Sequence, residues 1–133
     1  MNLNILLWGN DMSEWEEQRE VIQWFKSIYP QYEKSIRLSM SGLNLGGGIK
    51  AAKMVNQMKA QGYVKGETDL LFCVPRGKYH GLFIDMKDIG KKPTPDQLAY
   101  LYYQVSMGYK AEWCEGAEVA IKVISDYMNQ LGE

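Results

Sequence analysis

At 133 residues the chain is about the size of one domain, residues 1–133, and its 46% hydrophobic content is enough for a real core. No apolar run is long enough to span a membrane, and the apolar start at Met1 lacks the basic leader and cleavage site of a signal peptide; a cytoplasmic protein is expected. The net charge of −1 does not announce a nucleic-acid binder, but it is unevenly spread. Residues 34–66 carry Lys34, Arg37, Lys50, Lys53, Lys59 and Lys65 without a single acid, while acids gather at 14–20 and from Glu112 onward. A basic middle between acidic ends suits either a phosphate-binding surface or a solvated helix face. Two cysteines, Cys73 and Cys114, fall in expected strands and match neither a metal cluster nor a disulfide framework, so reduced thiols are expected.

Residues 1–12 read as an edge strand or a partner contact, with Leu3, Ile5, Leu6, Leu7 and Trp8 as the apolar material. Ser13 and Glu16 form a capping box that opens a helix running to about Tyr29, where Pro30 stops it. Its inward stripe is Val21, Ile22, Phe25 and Ile28, and steps of four back from Ile22 meet Gln18 and Glu14. An acid in the first turn complements the helix dipole, which does not explain its alignment with the apolar stripe. Residues 34–40 read as a strand, and the Gly-rich run 41–48 as a connector or a substrate-gripping loop. A basic helix over 49–61, with Met54, Val55 and Met58 inward, ends at Gly62.

Two strands follow, 70–75 and 81–87, joined by a polar turn at 76–79. An antiparallel register with Val74 opposite His80 would set Asp69 directly opposite Asp85, with Lys87 on the face of Asp85. Two carboxylates so placed raise each other's pKa unless a cation lies between them, and Mg²⁺ takes such oxygen ligands. Strand-end charges are also commonly solvated edge residues. Thr94, Pro95 and Gln97 open a further helix, with Gln97 at the capping-box position and Leu98, Leu101, Tyr102 and Val105 inward. A short strand over 109–114 and a helix over 117–131, presenting Val119, Ile121, Val123, Ile124 and Met128, complete a small mixed β-sheet with helices on both faces.

Glu14 and Gln18 on the first helix, Asp69 at a strand start, Asp85-Met86-Lys87 on the next strand and Gln97 at the following helix resemble the PD-(D/E)xK nuclease superfamily. With Gly62, Gly66 and Gly108, the order is similar to its VRR-NUC branch, the virus-type replication-repair nuclease domain, over about residues 14–128. The resemblance implies an α/β restriction-endonuclease-like core. It implies Glu14, Gln18, Asp69, Asp85 and Lys87 as the site, with Gln97 close by, and Mg²⁺ or Mn²⁺ held by Asp69, Asp85, the Met86 carbonyl and Glu14. Glu16 and Glu17 are rivals for the helix acid. Thr68 stands where the family has Pro, Asp85 where it has Glu, and Ser41-Gly42 where it has Asn-Gly. The implied function is a metal-dependent endonuclease of phage or repair type acting on branched DNA, four-way junctions or flaps. A homodimeric junction resolvase in the cytoplasm, the host's if phage-encoded, is the leading expectation. Ser41, Gly42, Lys50, Lys53 and Lys59 are the candidate DNA contacts. A restriction-type duplex nuclease and a catalytically silent DNA-binding module are the alternatives.

Overall fold

A computed structural model describes residues 13–39 and 47–130. Helix α1 spans Glu14–Ile28 and is followed by a 3-10 segment, Pro30–Ser35, and strand β1, Ile36–Leu38. Helix α2 (Gly48–Ala60), β2 (Leu70–Phe72), β3 (Leu82–Lys87), α3 (Pro95–Ser106), β4 (Lys110–Glu115) and α4 (Gly116–Met128) complete the order. The sheet runs β1-β2-β3-β4, antiparallel through the first three strands and parallel between β3 and β4, with α3 as the crossover. This is the mixed, helix-flanked sheet of a PD-(D/E)xK-like α/β fold. Among the described residues no helix is long and apolar enough to cross a membrane.

Strand β3 is covered on both faces, which accounts for its nearly unbroken apolar run. Leu82, Ile84 and Met86 face α1 and α4 together with Leu70 and Phe72. Phe25 of α1 packs on Phe72 with ring centroids 4.8 Å apart. On the other face Phe83 meets Tyr100 and Tyr109 edge-on at 5.8 and 5.0 Å. The β2–β3 connection turns through Gly77 and Lys78, with Arg76 and Tyr79 exchanging backbone hydrogen bonds at 3.2 and 2.9 Å. Tyr127 ties α4 to this region by donating to the Val74 carbonyl at 2.6 Å.

Several expected core residues lie outside. The buried stripe of α4 is Ala117, Ala120, Ile124, Tyr127 and Met128, while Val119 is exposed. Small alanines let the helix axis approach the sheet, so bulk is a poor guide to which side faces inward. Ile28 is exposed because Tyr29, 5.2 Å from Phe25 ring to ring, fills the place at the helix end. Tyr102 and Val105 of α3 are exposed and only Leu101 is buried. No residue of α2 is buried; Met54 is exposed, while Met58 lines a cavity of about 440 Å³ beside β1 and β2. Residues 34 and 35 belong to the 3-10 turn that Pro30 initiates, not to a strand. Cys73 is exposed beyond the end of β2; Cys114 is buried in β4, where burial pushes its thiol up to about 12. Both cysteines are free.

Gly66 sets the approach to the strand that begins after Asp69. Its φ is +86°, and a Cβ there would stand 2.6 Å from the Asp96 backbone at the start of α3. Both the left-handed backbone and the contact disfavour a side chain. Gly66→Ala is expected to lower stability by roughly 3 kcal/mol in urea titration, whereas Gly47→Ala, with nothing within 4 Å, should cost far less.

Candidate active site

The β2–β3 register, Leu70 opposite Ile84 and Phe72 opposite Leu82, continues one step outward to set Asp69 against Asp85. Asp69 is held there by its own side chain, since Oδ2 accepts from the Met86 backbone N–H at 2.7 Å. Thr68, in the place of the family's proline, is 3% exposed and donates its hydroxyl to the Leu70 carbonyl at 3.3 Å. A hydroxyl-to-backbone bond thus shapes the strand entry where a ring would otherwise restrict it.

Asp85 is 1% exposed, and its Oδ2 has no hydrogen-bond partner among the described residues. Lys87 Nζ lies 3.4 Å from that oxygen, near enough for an ion pair but poorly aligned for a hydrogen bond. Burial, then the neighbouring Asp69 charge, push the Asp85 carboxyl up to about 7 against the pull of Lys87. A buried carboxylate that faces a second acid, with one ion pair to offset it, is costly.

Glu14 joins this group from the first turn of α1. Burial raises its carboxyl above the ordinary range; Asp69 and Asp88 raise it further, and Lys87 and Lys91 oppose them. Its rivals are placed differently. Glu17 accepts from the Ala117 N–H through Oε2 and so caps the start of α4. Glu16 occupies the N3 position, its backbone N–H donating to Ser13 Oγ at 3.2 Å, the forward half of the expected capping box. Glu14 is therefore the helix acid that shares the electrostatic environment of Asp69 and Lys87.

Gln18, one turn on, lines a groove with Trp15, Leu38 and Leu70. Gln97 completes a capping box: its Oε1 accepts from Thr94 N at 2.9 Å while its N–H donates to Thr94 Oγ1 at 3.3 Å. That structural task explains its position without a role at the acids. Lys50, Lys53 and Lys59 are exposed on α2. Ser41 and Gly42 lie outside the described residues, as do residues 1–12.

Among the described residues no three Asp, Glu, His or Cys side chains form a metal-binding group. The donor set is instead two opposed carboxylates, Asp69 and Asp85, with the buried Asp85 Oδ2 lacking a hydrogen bond among the described residues and 3.4 Å from Lys87. That set fits Mg²⁺, which uses one or two carboxylates and keeps water or phosphate oxygens in its other positions.

No protein-family model matches the sequence, and no curated protein matches it. A solved structure described as a VRR_NUC domain protein superposes with a TM-score of 0.76 at 26% sequence identity, over 92% of this chain and 93% of that one. The chain shares the fold of that VRR_NUC domain protein.

Asp85 lies within ion-pair distance of Lys87. Sequence reasoning passed over Asp88. Its Oδ1 is buried without a hydrogen-bond partner, and its charge acts on Glu14. The signal was the run Asp85-Met86-Lys87-Asp88, whose last acid reads as the start of a loop. Lys91, visible only as one of several basic residues, reaches the same field.

A pH test follows for the metal-free protein. The Asp85 carboxyl sits at about 7 when folded against an ordinary 3.8, so its ionisation destabilises the folded state progressively as pH rises through that interval. Asp85→Asn should raise the melting temperature in EDTA at pH 8, with a ceiling on the order of 4 kcal/mol, and change it little at pH 4. Equal effects at both pH values would mean that Asp85 is not protonated in the fold.

Proposed function

We propose that the protein is a metal-dependent endonuclease that hydrolyses phosphodiester bonds in branched DNA. The observation that carries this reading is the opposition of Asp69 and buried Asp85, with Lys87 3.4 Å from Asp85 Oδ2. The likeness to a VRR_NUC domain protein supports the nuclease class.

Asp69, Asp85 and the Met86 carbonyl, with Glu14 directly or through water, would hold Mg²⁺ or Mn²⁺. Bound there, the ion supplies Lewis acidity toward the scissile phosphate and an acidified water. Lys87 orients the attacking water or meets the negative charge that builds on phosphorus. Asp69 keeps the β3 backbone in place through the Met86 amide. Gln18 positions Glu14 or a phosphate oxygen. Lys50, Lys53 and Lys59 carry charge on an exposed helix suited to phosphates, and Ser41 and Gly42 are assigned to the same DNA path.

The whole chain acts as one nuclease domain, and two copies resolve a four-way junction. Two symmetric cuts need two sites, and a two-fold dimer matches a junction's own symmetry. Exposed Tyr102 and Tyr103 on α3 and half-buried Trp113 on β4 offer aromatic interface material, with residues 1–12. Sedimentation should give a dimer, and four-way junctions should receive paired nicks. A monomer that cuts flaps alone would remove the resolvase and keep the nuclease.

Asp85→Ala should abolish metal binding and cleavage together. Lys87→Ala should retain metal and junction affinity yet lose at least a hundredfold in cutting rate; retained cleavage would remove lysine from the mechanism. Ca²⁺ should support binding without scission. Neutralising Lys50, Lys53 or Lys59 should each reduce the slope of log affinity against log salt by about 1. An unchanged slope would return α2 to a solvated face.

A further inference from the structure

The proposed nuclease needs nothing from Trp15, yet this ring is 67% exposed and directly follows Glu14. It borders a groove of about 440 Å³ between α1 and β1, lined also by Gln18, Arg19, Ile22, Leu38 and Leu70. One wall is α1, where Gln18 stands one turn from Glu14; the other is the strand pair, where Leu38, 69% exposed, lies opposite Leu70. The Arg19 guanidinium lies 5.7 Å from the Trp15 ring centroid and takes part in none of the ion pairs among the described residues. Farther along, Lys26 is paired with Glu33 at 3.7 Å, so the cation left for a ligand stands at the Trp15 end.

We infer that this groove receives an unpaired nucleotide of the strand being cut, its base stacking on Trp15 and its phosphate meeting Arg19. The inference rests on the nuclease reading and adds to it a contact with a base unstacked at the branch point of the DNA. An intact duplex keeps its bases paired and stacked, and has no use for an exposed indole among aliphatic walls. A base out of the stack gains about 1–3 kcal/mol on an aromatic face. Trp15, Ile22, Leu38 and Leu70 offer a base apolar contact and Arg19 offers a phosphate its charge, while the one acid of the lining, Glu33, is paired with Lys26.

The test is fluorescence anisotropy of full-length protein in Ca²⁺ with three labelled probes: a thymidine oligomer, a fork-ended duplex and a blunt duplex. Trp15→Ala should weaken the first two at least fivefold and leave the blunt duplex unchanged. Trp15→Phe, which keeps an aromatic face, should restore most of the lost affinity. Equal weakening on all three probes, or none, would overturn the assignment. So would a lower melting temperature with unchanged binding, which would mean that residues 1–12 of the same chain fill the groove. Scission in Mg²⁺ separates the two readings. Trp15-dependent fork preference without cleavage of any substrate removes the nuclease and keeps the groove; cleavage without Trp15 dependence does the reverse.

Discussion

One hydrogen bond organises the site: the Met86 N–H donating to Asp69 Oδ2 at 2.7 Å. It joins the start of β2 to the end of β3 through a carboxylate, where the regular backbone ladder has already stopped. Because strand side chains alternate, a slip of one residue would turn Asp85 and Lys87 toward the α1–α4 core and Met86 outward. Leu82, Ile84 and Met86 prevent that slip by being fully buried on the core face. Hydrophobic burial therefore sets the register, and the register sets the chemistry.

The arrangement holds charge where the fold disfavours it. Asp85 is buried beside another acid, with a single lysine to offset both. Asp88 adds a second buried oxygen without a partner, and Glu14 brings a further carboxyl. Apolar residues at these positions would be easier to bury. The cost is localised at one end of β2 and β3, whose other residues are largely buried, a pattern that functional sites show.

The hairpin was legible because the tight turn and the apolar alternation agree on one register, which aligned Asp69 with Asp85 before any coordinates. The order of elements, and the likeness to VRR-NUC domains, rested on the same strong punctuation: Ser13, Pro30, Gly62, Thr94-Pro95 and Gly108. Helix faces were less legible. In α4 the eye follows Val119 and Val123, whereas close packing selected Ala117 and Ala120. In α2 the Met and Val spacing suggested a core face, but no residue of that helix is buried. Spacing from Gln18 favoured Glu14 among three first-turn acids, but only tertiary contact reveals that Glu17 serves the start of α4. Asp88 was hidden for the same reason: nothing in its local sequence distinguishes a buried oxygen from a loop acid.

The central claim is that Asp69 and Asp85 together hold the metal used for strand scission. The most direct measurement is an anomalous difference map from crystals soaked in Mn²⁺ at its absorption edge. The account predicts a peak within coordinating distance of carboxylate oxygens from both Asp69 and Asp85, lost in Asp85→Ala crystals. A strong Mn²⁺ peak elsewhere, with none between these two aspartates in a preparation that cuts DNA, would contradict it.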